Sequence, residues 1–187
     1  GQPKEVNLKE MLQAFVKHRK DIITKRTKFD LKKAKERGHV VEGLMVAIAN
    51  IDEVITIIKK SKDPKIAAEA LCKKTWKSGP VEAILKKVGN DACKPKGLSK
   101  DFGLKGKKYK LSPDQSKAIL ELRLGRLTGL EQDNLSKEFA EIVDKIIGLQ
   151  KILDDKSTLQ DLMIGELEEV RNNFGDERRT LINDTRR

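Results

Sequence analysis

The chain has 187 residues, of which 37% are hydrophobic, 37% are charged and only 4% are aromatic. The low aromatic content argues against a large β-sandwich or barrel. A compact globule usually has more apolar and fewer charged residues than this chain. Long solvated helices fit the ratio better. The net charge of +11 suits a polyanion such as nucleic acid, or an acidic partner chain, but does not by itself establish contact.

Charge is divided unevenly between two stretches that carry apolar residues at helical spacing. Residues 1–37 contain twelve Lys or Arg against five Asp or Glu, and residues 130–177 contain five against thirteen. A basic and an acidic amphipathic helix attract each other along their length. The pattern predicts an antiparallel helical arm, with residues 38–129 folded at its far end.

The first predicted helix covers residues 7–37. Its apolar seam repeats every seven residues and comprises Leu8, Phe15, Ile22 and Phe29. Three later seam positions are basic: Arg19, Arg26 and Lys33. These positions would repel a second copy of the helix, but they would attract an acidic return helix. Gly38 is expected to interrupt the helix.

The middle of the chain is predicted to contain shorter secondary-structure elements. Residues 40–60 form one predicted helix that is apolar on more than one face, so it is buried on two sides or buries one side in a second subunit. Further helices are predicted to start at Asp63-Pro64 and at Ser78-Gly79-Pro80. Residues 89–111 predict an irregular surface segment with one short strand or turn around Tyr109.

The remaining predicted elements are helices. Ser112-Pro113-Asp114-Gln115 is a capping-box sequence, and its helix is expected to end near Gly129. A third long helix is expected to break at Asp154-Asp155-Lys156 and to be capped again from Ser157, and the last helix should stop at Gly175. The predicted fold class is all-α: a long antiparallel two-helix coiled-coil arm with a small helical domain at its tip.

The sequence offers little catalytic chemistry. Cys72 and Cys93 fit no metal-binding spacing, which favours reduced thiols. Tyr109 stands among lysines without a general base or a metal cluster, so it is expected to anchor a turn. The glycine-lysine run 103–108 follows no predicted strand, so it does not indicate a phosphate loop. We expect no catalytic, metal-binding or cofactor-binding residue, and we expect Trp76 to pack in a core or an interface.

A dense basic band lies on the first predicted helix. It comprises Lys17, Arg19, Lys20, Lys25, Arg26 and Lys28. One interpretation is solvation together with pairing to the acidic return helix. The other is weak, salt-dependent contact with a phosphate backbone, without sequence preference.

The ends and the apolar runs of the sequence bear on location. No apolar run approaches the length needed to span a bilayer, and no signal peptide opens the chain, so a cytoplasmic protein without membrane contact is expected. The opening Gly1-Gln2-Pro3-Lys4 is not a native initiation, and we expect the chain to be part of something larger.

Several strings, taken in order, resemble one protein family. They lie at residues 7–10, 14–20, 24–27, 47–52, 118–124, 126–131 and 174–180. Two of them are Ala47-Ile48-Ala49-Asn50-Ile51-Asp52 and Phe174-Gly175-Asp176-Glu177-Arg178-Arg179-Thr180. In this order the strings closely resemble the A subunits of bacterial DNA gyrase, which are type IIA topoisomerases, over essentially the whole chain.

The resemblance implies a non-catalytic part of an ATP-dependent DNA-supercoiling enzyme. Residues 1–37 and 130–177 would form a coiled-coil arm, residues 38–129 a helical gate domain, and residues 178–187 a tail towards a further domain. Two gate domains would meet across a two-fold axis and form the exit gate for the passing duplex. The catalytic tyrosine would lie upstream, and the B subunit would supply ATP and Mg²⁺. The expected partners are a second copy of the chain, DNA, the rest of the A subunit, and the B subunit.

The predicted dimer contact lies where apolar residues exceed what so small a core needs, in residues 40–60 and 113–127. The candidate interface residues are Leu44, Ala47, Ile48, Ile51, Ile119, Leu122, Arg123 and Leu127. Two other functions stay open: a stand-alone basic coiled-coil arm that binds RNA or DNA, and a scaffold hairpin with a protein partner. Self-association separates the gate from both.

Overall fold

The computed structural model describes residues 3–181 and 183, and these form seven α-helices and one small sheet. The elements are α1 (Leu8–Ala49), α2 (Ile51–Lys60), α3 (Pro64–Lys73), β1 (Thr75–Lys77), α4 (Val81–Val88), β2 (Gly103–Lys105), β3 (Lys108–Lys110), α5 (Pro113–Leu120), a 3-10 turn (Leu124–Leu127), α6 (Gly129–Asp154) and α7 (Lys156–Phe174). The described chain divides into two compact units. The first unit contains the residues up to Arg26 and those from Ile152 onward, and the second contains Thr27–Lys151. Part of the predicted tail, residues 178–187, lies outside the described residues, as do the first two residues of the chain.

The sheet corrects the all-α prediction, because the molecule is mostly helical but not purely so. Its three strands are antiparallel in the order β1-β3-β2. Trp76, Tyr109 and Leu104 form one cross-strand row and are 2%, 0% and 7% exposed, so this face of the sheet packs on the core. Of the short strand or turn predicted around Tyr109, the structure has the strand. The other two strands gave no signal, because three residues are too few for an alternating pattern to register.

Helix α1 runs through Gly38, so the predicted interruption there is wrong. Gly38 is buried, and a Cβ atom at this position would lie 2.9 Å from the Sγ of Cys93 and 3.0 Å from the Cγ2 of Ile142. The glycine therefore allows the loop after α4, which carries Cys93, and helix α6 to approach α1 closely. Its absent side chain matters here for packing, and not for ending the helix.

The predicted helix 40–60 is divided at Asn50, between α1 and α2. The side-chain amide of Asn50 donates to the carbonyl of Val46 at 2.8 Å and to that of Lys77 at 2.9 Å. The first of these bonds satisfies a carbonyl in the last turn of α1. The second bond ties the end of α1 to strand β1. An asparagine that serves two carbonyls thus explains a break that apolar spacing alone does not show.

Other helix ends follow the polar signals in the sequence. The capping box of α5 is present: Ser112 Oγ accepts from the backbone N–H of Gln115, and Gln115 Oε1 accepts from the backbone N–H of Ser112. Helix α5 nevertheless ends at Leu120, earlier than the predicted end near Gly129. The predicted break before α7 is confirmed, although its N-cap is Asp155 and not Ser157.

The core of the second unit surrounds the end of α1. Seven consecutive residues, 41–47, are buried, as expected for a helix with apolar residues on more than one face. In the same unit, helix α3 packs against α2 and α5. The largest fully buried side chains of the unit include Leu71, Trp76, Leu85, Tyr109, Leu111, Leu135 and Phe139.

The predicted apolar seam on the first half of α1 is exposed. The exposed fractions are 73% for Leu8, 52% for Phe15, 40% for Ile22 and 60% for Phe29. The buried positions are Ile23 in the first unit, and Thr27 and Ala34 in the second. The seven-residue period was therefore assigned one residue out of phase. The adjacent residues Ile22 and Ile23 fit the seven-residue period equally well. The buried face gives a weak apolar signal because one of its positions is the polar Thr27.

Ion pairs occur where the basic seam positions were expected to meet acids. In the first unit, the Nη2 of Arg19 lies 2.9 Å from a carboxylate oxygen of Glu166, and Arg26 pairs with the same carboxylate. The third seam position, Lys33, has its Nζ 3.4 Å from Glu36 of the same helix and not from an acid of the return helix. Arg37, which was not a predicted seam position, makes the pair in the second unit, with its Nη2 2.6 Å from Glu138. Exposed or half-exposed pairs of this kind contribute about 0.2–1 kcal/mol each, so they orient the helices more than they stabilise them.

The free energy of unfolding should depend strongly on Phe139, in the second unit, and only weakly on Phe15, in the first unit. Phe139→Ala removes a fully buried ring and should lower the free energy of unfolding by about 3–5 kcal/mol. Phe15→Ala removes a ring that is 52% exposed and should cost less than about 1 kcal/mol. Urea unfolding followed by circular dichroism measures both, and equal costs would contradict the burial pattern.

Candidate functional site

The eight predicted interface residues fall into three groups by burial. Leu44, Ala47 and Ile119 are buried in the core of the second unit, at 6%, 0% and 4% exposure. The half-buried residues are Ile48, Ile51, Leu122 and Leu127, and Arg123 is exposed. A buried side chain offers little surface to a partner. The half-buried side chains and Arg123 are therefore the ones available for a contact between copies.

The predicted DNA-contact residues also separate. Arg19 and Arg26 share the carboxylate of Glu166, so part of their charge is neutralised. The lysines of the band make no ion pair within the part of the chain that the structure describes. They are Lys17, Lys25 and Lys28, which are exposed, and Lys20, which is half-buried. Pairing to an acid thus accounts for the two arginines, and the lysines stay available to a polyanion.

Tyr109 is part of a buried hydrogen-bond network. Its hydroxyl donates to Oε1 of Glu42 at 2.5 Å and accepts from Nε2 of Gln115 at 2.8 Å. Burial, with the adjacent Glu42 carboxyl, raises the pKa of the phenol well above its usual value. A buried phenol that is held protonated in this way is a structural hydrogen-bonding group and not an activated nucleophile.

Gln115 connects α1, β3 and α5. Besides its bond to Tyr109, its Nε2 donates to the carbonyl of His39 at 2.7 Å, while its Oε1 caps α5 at Ser112. The ring Nε2 of His39 lies 2.7 Å from Ser112 Oγ. The side chain of Gln115 lies against Gly43, where a Cβ atom would come within 2.6 Å of the Gln115 Cγ. The network therefore fixes a helix, a strand and a helix cap to one another.

The titratable groups of this network have strongly shifted pKa values. Burial raises the pKa of Glu42 to about 7, against the opposing effect of the Tyr109 hydrogen bond. Burial lowers the pKa of His39 to about 4. Burial also raises the pKa of the nearby Cys93 thiol to about 12, so the thiol is unreactive at neutral pH. All three shifts favour the uncharged form of the group, as a buried site requires.

Sequence reasoning named Ser112 and Gln115 as a cap and missed their buried partners. Glu42 could have been found, because it is the single charged residue in the apolar run 40–49. A charge in such a run is buried only if it is paired or hydrogen-bonded. His39 and Tyr109 carried no comparable signal, because their meeting depends on how α1 and β3 pack.

Metal-binding clusters and membrane-spanning helices are both absent from the described residues. Nowhere in residues 3–181 and 183 do three or more His, Cys, Asp or Glu side chains gather in a group that could hold a metal ion. Among the helices in the same part of the chain, none has both the length and the apolar run that a membrane crossing needs. Both cysteines are free in the described residues.

Comparison with known proteins identifies the family. A sequence model for the A subunits of DNA gyrase and topoisomerase IV matches residues 1–168. The chain belongs to this family. It is similar to the DNA gyrase A subunits of Pseudomonas aeruginosa (50% identical over 182 residues, 97% of this chain), Aeromonas salmonicida (44% over 178 residues, 95%) and Salmonella typhimurium (43% over 182 residues, 97%). The chain spans about one fifth of the length of these gyrase A subunits, covering 20%, 19% and 21% of them.

The opposite pKa shifts of Glu42 and His39 predict opposite pH dependences. The folded state holds the Glu42 proton more tightly than the unfolded state does (pKa about 7 against 4.5), so its stabilising contribution is lost as pH rises through about 7. The folded state holds a proton on His39 less tightly (about 4 against 6.5), so stability is lost as pH falls through about 6.5 towards 4.

Glu42→Gln should therefore gain stability relative to the unsubstituted chain as pH rises from about 4.5 to about 7, because the falling contribution is gone. His39→Gln should lose stability relative to that chain as pH rises from about 4 to about 6.5, because the unsubstituted chain gains stability over this range and the variant does not. Urea unfolding at a series of pH values measures both differences. Differences that do not change with pH would contradict the burial of these two groups as neutral species.

Proposed function

We propose that this chain is a non-catalytic part of a DNA gyrase A subunit that forms the dimeric exit gate and the arms around the passing duplex. The observation that carries the proposal is the family match over residues 1–168, to relatives of which the chain spans about one fifth. The parent protein would be an ATP-dependent, DNA-supercoiling type II topoisomerase. Its activity and its B subunit, with ATP and Mg²⁺, belong to this proposal.

The helical arrangement supports the arm and the gate. Within the second unit α1 and α6 are antiparallel, because Arg37 bonds Glu138 while Ile48, eleven residues later, lines a small cavity with Gln132. We assign residues 1–37 and 130–177 to the arm and 38–129 to the gate domain. The charge difference between the two arm segments favours their pairing within one chain over self-pairing of the basic segment.

The half-buried apolar residues support a contact between two gate domains. A two-fold contact uses the same patch on both copies and is apolar at its centre. Ile48, Ile51, Leu122 and Leu127 would form that centre, with the exposed Arg123 at its rim. Separation of the two patches would open the gate and release the duplex.

The reaction itself is assigned to other parts of the enzyme. Tyr109 is the single tyrosine of the chain, and its hydroxyl is buried between Glu42 and Gln115. It has neither the exposure nor the depressed pKa that attack on a phosphodiester needs. We therefore propose that DNA cleavage belongs to the rest of the A subunit. The arm lysines would attract a passing duplex weakly and without sequence preference.

The gate proposal predicts a dimer that depends on the half-buried apolar residues. The chain should sediment as a dimer at micromolar concentration, and Ile51→Glu with Leu127→Glu should sediment as a monomer with unchanged helical circular dichroism. A buried, unpaired carboxylate is costly at the centre of an interface. Val170→Glu is the matched control, because Val170 is 50% exposed on α7 in the first unit and should leave the dimer intact.

A monomer at every concentration would remove the main support for the gate. If such a monomer bound nucleic acid, the alternative function would be favoured, a stand-alone basic coiled-coil arm that binds RNA or DNA. Dissociation by Val170→Glu as well would place the contact outside the gate domain.

A further inference from the structure

The positive charge of the chain is concentrated in one part of the second unit. Residues 59–117 contain seventeen lysines, no arginine and six Asp or Glu, which gives a net charge of +11. This equals the net charge of the whole chain, so the charges of all other residues cancel. The basic band on α1 is therefore balanced elsewhere in the chain, whereas this lysine-rich segment is not.

The sheet aligns several of these lysines on one face. Lys77, Lys108 and Lys105 are cross-strand neighbours and form a row across all three strands. The adjacent row on the same face contains Thr75, Lys110 and Gly103. We call these six residues the lysine face. Side chains alternate between the two faces of a strand, so this face lies opposite the buried row of Trp76, Tyr109 and Leu104.

Little acidic charge compensates the row formed by Lys77, Lys108 and Lys105. Lys77, Lys105 and Lys108 are all exposed. The Nζ of Lys105 lies 3.6 Å from Asp101, and within the described part of the chain neither Lys77 nor Lys108 makes an ion pair. Like charges directly opposite each other destabilise a sheet. Three lysines in line are therefore an arrangement that folding alone does not favour, and an anionic partner would relieve the repulsion.

The face is held on a fixed support. The turn between β2 and β3 places Gly106 at a φ of +62°, a conformation that glycine adopts without strain. The carbonyl of Lys107 in the same turn accepts from the backbone N–H of Ser78 at 3.4 Å. Below the sheet, the indole N–H of Trp76 donates to the carbonyl of Leu71 at 3.0 Å. The lysine row thus lies on a sheet whose hairpin turn and first strand are both held by hydrogen bonds.

We propose that the lysine face binds the phosphodiester backbone of duplex DNA without reading its sequence. The choice of DNA rests on the proposed function, in which a duplex passes this part of the enzyme. Neighbouring strands are about 4.8 Å apart, so the row presents three positive charges over about 10 Å, which suits a line of phosphates. Lysine binds phosphate as a point charge and needs no fixed geometry.

The composition of the face argues against a protein partner. Protein interfaces are depleted in lysine at their centre and depend on aromatic or arginine anchors. The lysine face consists of four lysines, Thr75 and Gly103, while Trp76 and Tyr109 lie on the buried side. The nearby Phe102 ring is half-buried and lies under Lys110, whose Nζ is 5.8 Å from its centroid. The lysine face offers charge without an apolar anchor, which is the character of contacts to a nucleic-acid backbone.

The test measures binding of a short fluorescein-labelled duplex of random sequence by fluorescence anisotropy, between about 50 mM and about 200 mM salt. The variant Lys77→Gln/Lys105→Gln/Lys108→Gln should bind at least about tenfold more weakly at the lower salt, and the slope of log K against log salt should be smaller by about 2–3. Its melting temperature should be unchanged or higher, because the repulsion within the row is relieved.

Two further variants have the same charge change. Lys137→Gln/Lys145→Gln/Lys151→Gln alters exposed lysines of α6 and should bind nearly as the unsubstituted chain does. Lys17→Gln/Lys25→Gln/Lys28→Gln alters the band on α1 and should weaken binding less than the lysine-face variant. Unchanged binding by the lysine-face variant, or a larger loss in the α1 variant, would overturn the proposal.

Polyglutamate of matched charge serves as the competitor that represents an acidic protein. Displacement of the duplex by polyglutamate at equal concentration would also overturn the choice of DNA.

Failure of this inference is distinct from failure of the gate. A chain that dimerises but does not bind the duplex leaves the gate proposal standing, whereas a monomer that binds through the lysine face removes the gate and keeps the site.

Discussion

The second unit depends on the close approach of the Gln115 amide to the backbone of α1 at Gly43. The carboxamide caps α5 with its oxygen and bonds the carbonyl of His39 and the hydroxyl of Tyr109 with its nitrogen. A neutral amide supplies both a donor and an acceptor at a place where a charge would be costly. Helix α5 and strand β3 are thereby positioned on α1, and the orientation of the sheet follows from that of β3.

Local signals predicted much of the helical architecture. The capping box at Ser112 and the stop at Gly175 were identified because each depends on a few neighbouring residues. The phase of α1 was not, because Ile22 and Ile23 fit the same period and only the packed partner decides between them. Gly38 was misinterpreted for a related reason: a glycine that breaks a helix and one that admits a close neighbour have the same sequence signature.

The candidate sites were predictable to different degrees. From the amino-acid sequence alone, the resemblance identified the family. The charge difference between the two long helical segments identified the basic band. Of the residues proposed for the dimer contact, Leu44 and Ala47 lie in a segment that is buried all round, because apolar spacing cannot separate a core position from an interface position. The lysine row could not be predicted, because Lys77 and Lys108 become neighbours only through the strand register.

The chain has a single tryptophan, and its position makes it a spectroscopic reporter of one place. Trp76 is 2% exposed under the sheet, with the Nζ of Lys74 at 5.1 Å from its ring. Its emission therefore reports the packing of the sheet against the core of the second unit. It does not report changes in α7 or in the first half of α1. Far-ultraviolet circular dichroism, in contrast, is dominated by the long helices. Comparison of the two signals during denaturation would resolve whether the sheet opens before the helices melt, because coincident transitions are the mark of two-state unfolding.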